Sequence, residues 1–279
     1  MKNLLIVCLA AIFAFPVSAQ SDLQRLAETE IAFAGFASKN GMKSAFLEFL
    51  SDTGFVFSPD QRLGKEFWKA QPASKNIFIW RPELVDIAGN GVIGYTTGPW
   101  EMRPDSAAAA PTEFGQFATV WQRQKDGSYK VVLDIGVTGP QAEIPMSGWR
   151  SPGYAGKALS TDPFYVADVA AEFFEMMGSG KIESAYKEFA ADDIRLLRQG
   201  QLPIIGKAAA LETVGRIKGK FQINRRMAFM GTNDLAYAHN KYQITGGKVK
   251  ESGNFMQVWR FLDNRWQIVL DVFKPLNEQ

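Results

Sequence analysis

Two aspartates stand where predicted strands could carry them into an apolar interior. Asp134 and Asp271 each follow a run of apolar residues near the end of a predicted last strand. Burial among apolar side chains raises the pKa of a carboxyl group and lets it exchange protons near neutral pH. Strict alternation, however, puts Asp271 on the face of Gln267 and Val269, opposite Trp266. It could therefore equally be a polar residue on the outer face of the sheet or at a domain interface.

His239 is the only histidine, and its predicted strand places it on one face with Tyr237 and Lys241. A lone imidazole beside a tyrosine could be an acid or base, or a strand residue without function. One histidine cannot build a zinc site that needs two or three, and no acidic cluster has the spacing of a calcium loop. The sequence predicts no metal.

Four aromatic residues are candidates to bind a ligand. They are Trp100, which follows Gly98-Pro99 at a strand end, together with Tyr95, Tyr237 and Trp259. The same residues could equally be core, because strands favour aromatic side chains for packing alone.

The chain has 279 residues, with 31 Lys plus Arg against 29 Asp plus Glu. This balance gives no reason to expect nucleic acid as a partner. The short apolar run Leu4 to Phe15 after Lys2, followed by Val17-Ser18-Ala19, is typical of a secretory signal peptide cleaved after Ala19. Residues 1–19 would be removed, including Cys8, the only cysteine. We expect a periplasmic or secreted protein with no membrane span.

Two glycine-rich segments resemble phosphate-binding loops. Gly89 to Gly94 has the G-x-G-x-x-G spacing, but β-branched and aromatic residues follow where the fingerprint needs a helix. Asn90-Gly91 instead predicts a hairpin turn. Gly178 to Lys181 lacks the first glycine of a P-loop and predicts a break between helices. The sequence therefore predicts no cofactor.

Internal repetition dominates the sequence. An amphipathic stripe in the first half recurs 140 positions later, a G-K pair 142 positions later, a G-x-F-x-x-V-W strand 138 positions later and a final apolar strand 137 positions later. The pairs are Met42 to Leu50 with Ile182 to Ala190, Gly64-Lys65 with Gly206-Lys207, Gly115 to Trp121 with Gly253 to Trp259, and Val131 to Asp134 with Ile268 to Asp271.

The repeats predict two tandem α+β domains, because helices come first in each copy and an antiparallel meander follows. We expect the first domain at 20–138 and the second at 164–279. The intervening residues 139–163 are rich in glycine and proline and predict a linker.

The order of helix, helix, acidic turn, G-K and terminal hairpin resembles the nuclear transport factor 2-like superfamily, in particular its SnoaL-like group and a related domain family of unknown function. The second copy resembles it more closely, with Ala191-Asp192-Asp193-Ile194 and Trp266 to Asp271; the first has Tyr129 where Trp266 stands. The resemblance implies two cone-shaped domains, each a curved antiparallel sheet wrapped around N-terminal helices, with an apolar pocket at the open end.

The superfamily includes isomerases, dehydratases and cyclases as well as non-catalytic modules, so the resemblance leaves function open. Similarity to the SnoaL-like cyclases implies a late aspartate, Asp271 or Asp134, as a catalytic base, with His239 as the other candidate. We favour a non-catalytic protein that binds a small apolar molecule. The alternatives are an isomerase, dehydratase or cyclase, and a structural or protein-interaction module.

Long strands rich in apolar residues would aggregate if one face of the sheet stayed exposed. Two copies in one chain can cover each other, so we expect a monomer that forms an intramolecular pseudo-dimer. In it, Phe117, Thr119 or Val120 of one sheet would approach its counterpart among Phe255, Gln257 and Val258 of the other.

Overall fold

The computed structural model describes residues 21–107, 109–154, 158–162, 165–223, 228–246 and 250–276. The predicted signal peptide lies outside them. The helices are α1 Asp22–Phe49, α2 Gly64–Ala70, α3 Tyr165–Gly178, α4 Ile182–Phe189 and α5 Lys207–Val214. The strands of the first half are β1 Leu50–Phe57, β2 Gln61–Leu63, β3 Ile77–Trp80, β4 Leu84–Ile87, β5 Ile93–Arg103, β6 Glu113–Arg123 and β7 Tyr129–Thr138. Those of the second half are β8 Ala190–Arg198, β9 Ile204–Ile205, β10 Lys220–Ile223, β11 Ala228–Gly231, β12 Leu235–Thr245, β13 Glu251–Leu262 and β14 Arg265–Pro275.

The two halves form separate sheets with the same strand order. The first runs β2-β1-β7-β6-β5-β3 and the second β9-β8-β14-β13-β12-β10, while β4 and β11 pair with β5 and β12. This confirms the predicted α+β class with two tandem cones. Each sheet also contains one parallel pair, β1 with β7 and β8 with β14, where the sequence predicted antiparallel pairing throughout. In each copy the first strand, β1 or β8, follows directly after a helix and pairs with the last strand of the same copy. The boundaries 20–138 and 164–279 stay a prediction.

A glycine turns the chain at the same point of each copy. Gly41 has φ of 81° inside α1, where two helical segments meet, and Gly180 has φ of 84° between α3 and α4. Such left-handed backbone strains residues that carry a Cβ. The predicted helices at 42–50 and 182–190 therefore begin where the repeat placed them.

Each cone is filled near the turn by an equivalent cluster of four aromatic rings. The ring centroids of Phe33 and Trp121 are 5.9 Å apart, as are those of Phe173 and Trp259. The clusters comprise Phe33, Phe46, Phe49 and Trp121 in the first cone and Phe173, Tyr186, Phe189 and Trp259 in the second.

A β-bulge in each last strand corrects the alternation argument for Asp271. Val258 pairs with Leu270 and Trp259 with Ile268, which leaves Val269 as the extra residue. A bulge changes which face the following side chains occupy. Asp271 therefore lies inside the cone, on the face of Trp266, because strict alternation does not hold across Val269.

The outer faces of the two sheets pack against each other. β7 lies against β14 and β5 against β12. As expected, Val120 and Val258 both belong to the apolar cluster that forms between the two sheets, which we call the interface cluster. Phe117 and Phe255 instead belong to the cores of their own cones, and Thr119 and Gln257 bond to aspartates there. The interface cluster also contains Tyr95, Leu133, Ile135, Val137, Tyr237, Met256, Leu270 and Val272.

Equivalent turns attach each copy to the other. The turn between β1 and β2 contacts the second sheet through an ion pair of Asp60 with Lys241, at 2.5 Å. In the turn between β8 and β9, the Gly200 amide donates to the Thr138 carbonyl at 2.8 Å. The predicted linker is also attached, since Arg150 forms an ion pair with Glu83. Among the described helices, none is long and apolar enough to cross a membrane.

Candidate functional site

The second cone holds a cavity of about 980 Å³ between its helices, strand ends and the turn after α5. Its wall is apolar at Ile217, Phe221, Ile244, Phe273 and Pro275. Polar and charged side chains complete it, namely Tyr186, Arg198, Gln199, Gln201, Thr213, Arg216, Lys218 and Glu251. This volume lies at the upper end of the range for small-molecule sites.

A buried polar cluster lies under one wall of this cavity. The Arg198 guanidinium donates to the Asp271 carboxylate at 2.6 Å, and the Tyr186 hydroxyl donates to the same oxygen at 2.5 Å. The Gln257 amide donates to the other carboxylate oxygen at 3.0 Å. Asp271 is fully buried. We call Tyr186, Arg198, Gln257 and Asp271 the arginine cluster.

The arginine cluster holds a cation at the cavity wall. Burial alone would lower the pKa of Arg198, but the Asp271 carboxylate raises it above the ordinary value. The guanidinium also lies 4.7 Å from the Phe273 ring centroid, a cation–π distance. Burial and Asp271 together raise the pKa of Tyr186 well above 10. Three donors thus occupy the Asp271 carboxylate, and Tyr186 and Arg198 are the members of the arginine cluster that line the cavity.

The first cone contains a different acidic group, Glu30 of α1. It is fully buried and accepts hydrogen bonds from Trp80 Nε1 at 2.6 Å, Thr96 Oγ1 at 2.6 Å and Trp121 Nε1 at 3.0 Å. Burial raises the pKa of Glu30 to about 7, although these hydrogen bonds oppose the shift. Ala170 stands at the equivalent position 140 residues later.

Asp134 shares this interior with Glu30. The Thr119 hydroxyl donates to it at 2.8 Å, and burial raises the pKa of Asp134 to about 6 against that hydrogen bond. It holds the register position of Asp271, since β1 and β8 pair identically with the last strands. Aromatic rings also pack inside the first cone, where Phe46 and Trp68 stack with their centroids 4.7 Å apart.

His239 lies between the two copies. Its Nδ1 is 3.1 Å from Gln61 Oε1, and its ring contacts Phe55 and Phe57 of the first copy. Burial lowers the pKa of His239 to about 4. The structure thus separates the three predicted acid–base candidates, with Asp134 in the first cone, Asp271 in the second and His239 at the interface.

The four predicted ligand-binding aromatics also lie apart. Tyr95 and Tyr237 belong to the interface cluster, and Trp259 is fully buried in the core of the second cone. Trp100 is partly exposed, and its ring leaves no room for a Cβ at Gly115, which would come within 2.6 Å. None of the four is among the described residues that line the 980 Å³ cavity. Ligand binding by them stays a prediction.

Sequence reasoning missed Glu30 and Arg198. Glu30 interrupts the apolar stripe of α1, where Leu26, Ala27, Phe33 and Ala34 are buried, and this interruption could have been noticed. Arg198 gave no such signal, because an arginine at a strand end is ordinarily solvated. In the described chain, no three or more His, Cys, Asp or Glu side chains are grouped to hold a metal ion.

No protein-family model and no curated protein matches this chain. Solved structures do match. A nuclear transport factor 2-like protein of unknown function from Shewanella oneidensis MR-1 is 16% identical, with 39% of this chain and 94% of that chain covered, at a TM-score of 0.34. A similar protein of unknown function from Pseudomonas putida KT2440 is 16% identical, with 44% and 92% covered, at a TM-score of 0.36.

A third match is a protein of unknown function with a cystatin-like fold from Nostoc punctiforme PCC 73102. It is 13% identical, with 40% of this chain and 90% of that chain covered, at a TM-score of 0.33. Values this low carry no argument about activity. The architecture of two tandem α+β cones follows from the strand order and register of the chain itself.

Proposed function

We propose that this protein is a non-catalytic binding protein that holds a small apolar molecule in its second cone. The observation that carries the proposal is the 980 Å³ cavity, in whose wall Phe221, Ile244 and Phe273 offer apolar surface to a ligand. Burial of apolar ligand surface against such a wall drives binding.

The proposal includes export. The signal peptide at residues 1–19 would direct the chain to the periplasm or the outside, with Gln20 as the first residue of the processed protein. N-terminal sequencing of protein from its own host tests this point. Retention of Met1 would contradict it.

The binding function is tested with the neutral fluorescent dye Nile red. Ile217 lies in the cavity wall and is partly buried, so Ile217→Trp would fill part of the cavity. We expect this variant to bind the dye at least about tenfold more weakly, because a misfitting wall excludes the probe. Leu63→Trp, at an exposed position of the first copy, is the matched control and should bind like wild type. Equal binding by all three proteins would overturn the proposal.

An enzyme remains the second candidate, on one observation. The Tyr186 hydroxyl lines the cavity and is hydrogen-bonded to Asp271. A proton relay through this pair would need a free carboxylate oxygen on Asp271, and three donors already bond to that carboxylate. The geometry therefore favours binding over acid–base chemistry. Native mass spectrometry of protein from its own host distinguishes the two, since a binding protein retains its molecule unchanged.

A further inference from the structure

We infer that Arg198 makes the second cone selective for apolar molecules that carry a singly charged acid group, such as hydrophobic carboxylic acids. The inference rests on the proposed function, because it assumes that an apolar molecule occupies the cavity. It goes beyond that function by naming the chemistry of one end of the ligand.

The two copies show that the fold does not need the arginine cluster. Asp134 and Asp271 are equivalent, but the first copy has Phe46, Ser58 and Thr119 where the second has Tyr186, Arg198 and Gln257. A buried ion pair adds little net stability compared with apolar packing of the same volume. The second copy therefore carries three polar groups around the shared aspartate that stability does not require.

These groups fix the position of Arg198. Its Nη1 donates to the carbonyls of Leu197 and Asp271, at 3.1 and 2.8 Å, and its Nη2 donates to the Asp271 carboxylate and the Tyr186 hydroxyl. Within the described part of the chain these four bonds use both terminal nitrogens, so Nε–H is the donor left for a ligand. The side chain lines the cavity and is 12% exposed. A donor that is already fixed in position loses little conformational entropy when it binds an anion.

Lys218 adds a further cation to the cavity wall, and the Arg216 guanidinium forms an ion pair with Glu212. Arg216 and Lys218 lie on the turn after α5, and Glu251 is the one acidic residue of the described wall. The Glu251 carboxylate already accepts a hydrogen bond from Tyr242 at 2.6 Å. The apolar residues of the cavity wall can contact the hydrocarbon tail of such a ligand. One cation with one free donor suits a carboxylate better than a doubly charged group.

The test compares two probes of equal chain length, dodecanoate and 1-dodecanol, as competitors that displace Nile red. We expect wild-type protein to bind dodecanoate at least about tenfold more tightly than the alcohol, the range of a charge-assisted hydrogen bond. In Arg198→Met combined with Asp271→Asn, which removes both charges, dodecanoate should lose this advantage while dodecanol binds as before. Arg265→Gln, at an exposed turn of the same domain, is the control and should keep the wild-type preference.

A second variant guards against misfolding of the buried double variant. Arg216 is 75% exposed and Lys218 is exposed, so Arg216→Gln with Lys218→Gln should fold normally. We expect it to weaken dodecanoate binding several-fold and leave dodecanol unchanged, since it removes two cations from the wall. Equal affinities of wild type for the two probes, or no effect of either variant on the preference, would overturn this inference and leave the proposed function standing. Displacement by neither probe would count against the proposed function itself.

Discussion

Tyr186 donates a hydrogen bond to Asp271 at 2.5 Å, in the second copy of a fold whose first copy has phenylalanine, Phe46, at the position of Tyr186. The two copies have the same strand order and the same aromatic cluster. They differ in the polar groups inside. The first cone buries Glu30 under tryptophans, whereas the second buries an arginine beside a cavity. The same fold thus encloses two different sets of buried polar groups in one chain.

We expect Asp271→Asn and Asp134→Asn to change stability in opposite directions at pH 8. Asp271→Asn leaves the Arg198 charge without its anion and should cost about 3 kcal/mol of the free energy of unfolding. Asp134 has a pKa of about 6, so its carboxylate is charged at pH 8, although burial makes that charge energetically costly. Asparagine relieves that cost and should leave the first cone as stable or more stable. Urea unfolding of the two variants measures both effects, and equal losses would show that the aspartates have equivalent environments.

Glu30 should make stability fall as the pH rises. Its pKa is about 7 in the folded protein against 4.5 in the unfolded chain, so the folded state binds the extra proton between these values. The stabilisation is complete below about pH 4.5 and is lost as the pH rises through 7. The loss should be roughly 3 kcal/mol.

Asp86, Asp134 and His239 also titrate in this pH range. The variant Glu30→Gln retains all three, so the difference in the free energy of unfolding between variant and wild type isolates the contribution of Glu30. We expect the free energy of unfolding of the variant, relative to wild type, to rise between pH 4.5 and pH 8. A difference that stays constant across this range would mean that Glu30 does not titrate as stated.

Arg260 should be essential for the attachment of the two copies. It is 1% exposed and forms ion pairs with Asp86 of the first copy and Asp234 of the second, both at 3.1 Å. Arg260→Ala leaves two buried carboxylates without their cation and should cost about 3–5 kcal/mol. The control Arg265→Ala, at a half-exposed arginine, should change stability by less than about 1 kcal/mol. Thermal unfolding of the two variants would refute the prediction if their Tm values fell equally.

The processed protein should be a monomer. The outer faces of both sheets are covered by the interface cluster, so the apolar surface that would otherwise drive self-association is already buried within one chain. Light scattering after size exclusion should give the mass of a single chain over a wide range of concentration. A mass near twice that value would show that a further surface pairs two chains.

The sequence by itself determined the duplication and the fold class. The stripes at 42–50 and 182–190, the glycines that precede them and the terminal hairpins are local patterns, and they recur in order. The tight turn at Asp263-Asn264 was also predictable, because short polar residues tolerate the positive φ of 50° and 62° observed there. Such features depend on neighbours in the chain, which the sequence shows directly.

Only the tertiary structure decided which interior is open and which groups meet inside it. The bulge at Val269 places Asp271 inside the cone, and a valine at this position does not by itself predict a bulge. Arg198 and Tyr186 reach Asp271 from strand β8 and helix α4, up to 85 residues away in the chain. The cavity of the second cone is bounded by residues of several helices, strands and turns, and such a volume is a sum over many distant side chains. Pattern and spacing are local quantities, whereas a buried charge and an empty space are set by everything packed around them.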